Sequence, residues 1–152
     1  MALIRMKTDG KVPFVKLSPS DHPADGADCV VIGYPLIDRL GANVKITRGI
    51  VSSGSGKAAS YDVTVDAKVN PGNSGGPMLD KYGNVMAIVA MKSLASATED
   101  SYGLGLSAGR VRKFLAQHGV TLPAGEKLPA PLSAEDIATK AEPATVCILS
   151  TR

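Results

Sequence analysis

The sequence predicts an all-β fold, a short barrel of six strands with a helix after it. Three observations carry that expectation. The 152-residue chain is 44% hydrophobic but only 4% aromatic and has no tryptophan, so its core must be built from Val, Ile, Leu, Ala and Met. Its 16 glycines and 10 prolines punctuate short apolar runs, as turns between strands require. Period-two alternation is clearest where Tyr61, Val63 and Val65 share one face against Asp62 and Thr64, which implies a sheet with one buried side. A barrel accounts for such short strands better than an open sheet, because closure removes vulnerable edges. The length suits one domain with a genuine core.

Taken in order, Ala2 to Met6 reads as a first strand, and Lys7 to Ala27 as a polar linker. Cys29–Tyr34, Val44–Ser53 and Tyr61–Val65 follow as strands. Gly54-Ser55-Gly56-Lys57 between them is a hairpin turn; a phosphate loop would require glycine where Val51 stands and Ser or Thr where Ala58 stands. Met78–Asp80, Val85–Met91 and Tyr102–Leu106 complete the six, with Asp80 to Asn84 as a turn. Arg110 to His118 is helical: Val111, Phe114 and Leu115 form an apolar stripe, and Arg110, Arg112 and Lys113 lie mostly opposite as a solvated basic face. Gly119 caps it, with His118 a cation at the C-terminus. A proline-rich linker spans 120–132. Ser133 then caps a second helix, with Asp136 three residues on, and Pro143 leads from it into the strand-like Ala144–Leu149.

Several function classes are disfavoured. A net charge of +3, from 17 basic and 14 acidic residues, comes without a basic stripe or interleaved aromatics, so no nucleic-acid partner is expected. The longest strongly apolar run, Val85 to Met91, is far short of the ~20 residues a membrane helix needs. No membrane role is expected, and the N-terminus shows no signal-peptide pattern. Cys29 and Cys147 are too few for a disulfide framework and lack metal-ligand spacing; each sits in an apolar run as a small hydrophobe. No metal or cofactor is expected.

One motif carries chemistry. In Asn70-Pro71-Gly72-Asn73-Ser74-Gly75-Gly76-Pro77 a serine sits in a glycine-rich loop between strand-like runs. A serine hydroxyl attacks a carbonyl only when a base takes its proton and donors await the oxyanion. Glycines permit positive φ and close backbone approach, so the N–H groups of Gly72 and Ser74 are candidate oxyanion donors. Pro71 stiffens the approach, and Asn73 is expected to orient the loop rather than react. An ordinary surface turn uses the same residue types, but the full eight-residue string favours a nucleophile loop. The string also satisfies the Gly-x-Ser-x-Gly elbow of α/β-hydrolases, with Asp100 and His118 in the elbow's partner order. That elbow needs a helix directly after the serine, where Gly-Gly-Pro and a strand stand instead.

Val65 to Asp80, with Ser74 at its centre, resembles the nucleophile segment of trypsin-like serine endopeptidases, especially the bacterial Deg/HtrA-like group. Asp28–Pro35, Thr47–Ser52, Val85–Val89 and Gly103–Ser107 resemble successive strands of that family's second barrel, so the likeness covers about residues 1–118. The resemblance implies a six-stranded antiparallel Greek-key barrel of the trypsin-like type with a closing helix and an appended helix-strand tail. It divides the chain into 1–27 (last strand of the first barrel and interbarrel linker), 28–119 (C-terminal barrel with closing helix), 120–132 (linker) and 133–152. The last segment resembles the start of a further protease-like unit; alternatively its strand packs back on the barrel.

The resemblance further implies peptide-bond hydrolysis through an acyl-enzyme on Ser74, with Gly72 in the oxyanion hole and Val69, Asn70, Ala90, Met91 and Lys92 as substrate contacts. The family's Asp immediately precedes the strand resembled by Ala2–Met6, and its His comes earlier still. Neither has a counterpart here. His22, in a proline-flanked polar loop, and His118 match no catalytic position. The chain alone is therefore expected to be inactive. The implied partners are a polypeptide substrate or peptide ligand and an upstream protease half of a longer parent. Self-association through the uncovered face is a further expectation, and a noncatalytic peptide-binding or docking module is the alternative function. For the parent, the resemblance implies a bacterial periplasmic or secreted setting, given an upstream signal.

Overall fold

A computed structural model describes residues 1–56, 60–93, 101–123 and 125–149. Lys57, Ala58 and Asp100, which entered the phosphate-loop and elbow readings, lie outside the described residues, as do 150–152 of the tail. The elements are β1 (Asp28–Gly33), α1 (Ile37–Leu40), β2 (Lys45–Ser53), β3 (Val63–Val65), β4 (Pro77–Leu79), β5 (Val85–Lys92), β6 (Gly103–Ser107), α2 (Ala108–Gln117) and α3 (Ala134–Ala141). A short 3-10 turn, Glu142–Ala144, follows α3.

The strands close into one barrel in the order β1-β2-β3-β6-β5-β4, and every neighbouring pair is antiparallel. β1-β2-β3 and β4-β5-β6 are two meanders, joined by the connection 66–76 that carries Ser74 from one to the other. The expected six-stranded barrel and closing helix are thus present.

Two layers of apolar packing hold it. Inside the barrel, Cys29, Val31, Val51, Val63, Val65, Met78, Met86 and Val89 form a closed cluster. Their neighbours in sequence point the other way: Val30, Ile32, Leu79 and Val85 join Leu17, Val111, Ile137 and Ala141 in a second cluster outside the wall. β1 is therefore buried on both faces, which is why Cys29-Val30-Val31-Ile32 reads as a continuous apolar run without alternation. β2 lacks a covering helix and alternates, with Ile46 and Ile50 exposed.

The start of α2 is fixed by a buried carboxylate. Asp62 accepts the Ser107 N–H at 2.9 Å and the Ser107 Oγ–H at 2.6 Å, and the same Oγ accepts from Arg110 N. Ser107 thus ends a strand and caps a helix at once. The linker is only half free. Leu17 bridges Val85, and Arg112 pairs with Asp21, so residues 15–27 lie along the barrel rather than apart from it.

Three expected strand assignments change. Ala2–Met6 is exposed and forms no strand, Ala144–Leu149 forms none either, and Tyr61–Val65 shortens to Val63–Val65. The first two share a cause. Around the closed ring each strand already has two neighbours, so an arriving segment finds only a strand end to pair with, as Leu17 does at Val85.

Candidate active site

The connection 66–76 turns sharply just before β4. Asn73 N–H donates to the Asn70 carbonyl at 3.0 Å and Gly76 N–H to the Asn73 carbonyl at 2.9 Å, two tight turns that bracket Ser74. Beyond them the chain joins the sheet: Gly75 N–H donates to the Val89 carbonyl at 2.7 Å, and Val89 N–H to the Gly76 carbonyl at 2.9 Å. Gly72 has φ 100°, and a Cβ there would sit 2.3 Å from the Tyr34 carbonyl oxygen. Only glycine fits, by conformation and by space. At Gly76 a Cβ would meet the Ile32 carbonyl at 2.6 Å, so the loop lies directly on β1.

Ser74 is exposed at the lip of a cleft of about 620 Å³. Its Oγ–H donates to the Ala90 carbonyl at 3.1 Å. Among the described residues neither Gly72 N–H nor Ser74 N–H donates a hydrogen bond, so two main-chain donors of the serine loop stand unused. Asn73 is buried, and its Oδ1 has no partner among the described residues. Its main chain, rather than its amide, makes the turn bonds that shape the loop.

The expected substrate contacts scatter. The cleft is lined by Gly72, Ser74 and the 33–38 segment, whereas Val69, Asn70, Ala90, Met91 and Lys92 do not line it. Val69 is packed in the barrel core, which leaves its main chain alone for contact; Asn70 and Ala90 are half-buried, Met91 and Lys92 exposed. Ala90 meets the serine through its carbonyl. Among the described residues no histidine lines the cleft. The His22 Nδ1 is 3.1 Å from the Gly54 carbonyl and 3.8 Å from Asp62, and the His118 Nδ1 is 2.8 Å from the Phe114 carbonyl at the end of α2.

Sequence reasoning missed two walls. One is Tyr34-Pro35-Leu36, where Leu36 adopts φ 52° and its N–H donates to the Pro71 carbonyl at 2.9 Å. A left-handed leucine is costly, and its position against the serine loop is typical of strain held at a site. Nothing in the residue type announces it. The other wall is the tail, since Ala144 to Leu149 line the same cleft as Ser74. α3 packs on the outer wall of the barrel, and beyond it the tail forms no strand. The two thiols lie apart in character: Cys29 is buried in the barrel, its pKa pushed up to about 12 by burial and then by Asp66, and Cys147 is exposed; both are free.

A closed antiparallel barrel in this strand order, with a glycine-rich serine loop on the connection between its two meanders, is the architecture of a trypsin-like peptidase domain. The family model for the trypsin-like peptidase domain matches residues 1–88. The chain belongs to that family. It is 33% identical over 117 residues to the chloroplastic Protease Do-like 5 of Arabidopsis thaliana, a match covering 72% of this chain and 33% of that protein. It is 38% identical over 89 residues to a probable periplasmic serine endoprotease DegP-like of Pseudomonas putida, covering 55% and 18%. Among solved structures, the inactive-form Ser343Ala mutant of Rv3671c from Mycobacterium tuberculosis matches with TM-score 0.53 and 29% identity, over 73% of this chain and 56% of that one. The chain spans a third or less of the length of the curated relatives it matches. Among the described residues no helix is long and apolar enough to cross a membrane.

Proposed function

We propose that this chain is the nucleophile half of a serine endopeptidase, with Ser74 attacking the scissile carbonyl and the Gly72 and Ser74 N–H groups receiving the oxyanion. The observation that carries the reading is the pair of unused main-chain donors in the loop of an exposed serine. Fixed donors aimed at developing charge are the largest single term in acyl transfer. The base is the missing part. The Ser74 Oγ–H donates a hydrogen bond to the Ala90 carbonyl, which is no base, and both imidazoles are engaged elsewhere. The chain by itself therefore turns over little or no peptide, since losing triad members costs several orders of magnitude. A polypeptide supplying His and Asp is the partner this site calls for, and the periplasmic DegP-like relatives support a periplasmic or secreted setting for the parent.

The serine-to-carbonyl bond also favours a second reading, a peptide-binding module without chemistry. One experiment separates them. The chain is treated with a fluorophosphonate probe alone and after mixing with a first-barrel polypeptide bearing His and Asp. Labelling that appears only in the mixture and vanishes in Ser74→Ala supports the split peptidase. Peptide binding without labelling in the mixture supports the module, and labelling of the chain alone overturns the assignment of inactivity.

A further inference from the structure

The chain beyond α3 is strand-like in sequence, unpaired in structure and placed beside the serine. α3 is fixed by Ile137 and Ala141, which pack with Ile32, Leu79 and Val111, and by the capping box of Ser133 and Asp136. After the 3-10 turn at Glu142–Ala144 the backbone is extended at Thr145, whose carbonyl accepts the Tyr34 hydroxyl at 3.1 Å. From there Val146, Ile148 and Leu149 are 61%, 69% and 77% exposed. Among the described residues no hydrogen bond engages the main chain of 146–149. This segment is one wall of the Ser74 cleft, whose lining it shares with Leu36 and Ile37. Ser74 stays exposed with the wall in place, so the cleft is open to a ligand. Of the described residues that line it, Asp38 alone is an Asp, Glu, Lys, Arg or His.

We propose that 146–149 is a docking wall, and that the cleft takes an extended polypeptide segment of uncharged aliphatic side chains, whose main chain pairs with this wall as an added strand. The occupant is a polypeptide because the chain belongs to a peptidase family and the cleft opens onto Ser74. A segment that served only to complete the fold would bury its apolar side chains and bond its main chain, and this one does neither. Unpaired N–H and C=O groups are what strand addition uses, and the aliphatic surface around them selects the side chains that accompany the added chain. A glutamate carried into the cleft would lose water and meet no basic side chain, and a run of lysines would find only Asp38. The selection is supplied by the tail rather than by the end of β5, since Ala90, Met91 and Lys92 do not line this cleft. That the docked segment is then cleaved rests on the reading of Ser74 as nucleophile, whereas the docking does not.

The probe is a fluorescein-labelled peptide of alternating valine and leucine between Gly-Ser ends, its binding read by anisotropy on the full chain without a first-barrel partner. The chain binds this peptide, and binds about tenfold more weakly its counterpart with glutamate in place of each leucine. N-methylation of alternate residues, which removes main-chain donors and keeps the side chains, should weaken binding to a like degree; unchanged binding overturns the added strand. Ile148→Asp puts a charge on the wall at a site 69% exposed and should weaken binding about tenfold. Phe14→Asp, at a site 71% exposed and off the cleft, should leave it unchanged. Equal binding to Ile148→Asp and the native chain, equal losses in Ile148→Asp and Phe14→Asp, or no binding to the native chain overturn the proposal. A native chain that binds no peptide and forms a dimer that dissociates in Ile148→Asp gives the wall to a second copy instead. Because no turnover is read, these outcomes stand apart from the fluorophosphonate result at Ser74.

Discussion

The two ends of this chain carry apolar segments of similar length beside the same barrel, and they meet different fates. Ala2–Met6 is extended-prone and apolar, yet Leu3, Ile4 and Met6 are left exposed without regular structure. The tail begins with a helix, and that helix is buried against the outer wall of β1. The difference is in how each kind of element satisfies its backbone. A strand needs an edge, and around the closed ring each strand already has two neighbours. A helix bonds to itself and asks of its neighbour only an apolar surface, which Val30, Ile32 and Leu79 supply on the outside of the wall. The strand-like Ala144–Leu149 suffers the same lack of an edge as the N-terminal arm, but α3 tethers it at the cleft.

The comparison can be broken most directly at its packed contact. Ile137→Ala empties a fully buried site and is expected to lower stability by about 2–5 kcal/mol in urea unfolding, where the transition should stay cooperative. A loss of a few tenths would mean that α3 only rests on the wall. The thiols sharpen the contrast between barrel and tail. With its pKa raised from 9.0 to about 12, Cys29 binds a proton in the folded state that the unfolded chain has released. Stability conferred by this group is full below pH 9 and falls as pH climbs toward 12, by at most about 1.4 kcal/mol per pH unit. That slope should disappear in Cys29→Ala and persist in Cys147→Ser. Ser133→Ala removes the hydroxyl of the capping box and should cost about 1 kcal/mol, provided the helix is docked enough for its cap to count. At the other end, Ile4→Ala should change the unfolding midpoint by no more than about 0.5 kcal/mol equivalent, since the side chain is more than half exposed. A large effect there would show that the arm packs on something in solution.

At the site, the loop's identity was legible because glycine, asparagine and proline have few conformational substitutes. Gly72 at φ 100° and the tight Gly76–β1 approach are demands only those residue types meet. The six strands were legible for a related reason, since short apolar runs between turn formers have few other uses. Less was legible where the answer depended on what lay across the cleft. The resemblance names Val69 as a substrate contact, and only the fold shows that the crossing chain turns its side chain into the barrel and leaves its main chain for that role. Leu36 gave no sign of its left-handed backbone, because leucine has no preference for it and the Pro71 carbonyl imposes it.

The sequence by itself determined the barrel, the glycine-rich serine loop, the C-terminal cap of α2 and the N-terminal cap of α3. These follow from local rules of pattern, turn chemistry and capping, each decided within a few residues. Only the tertiary structure decided which apolar segments become strands, that β1 is sandwiched between two cores, and that the tail returns to the serine cleft. Those outcomes depend on edges and surfaces that do not exist until the barrel has closed, and no local pattern can record them.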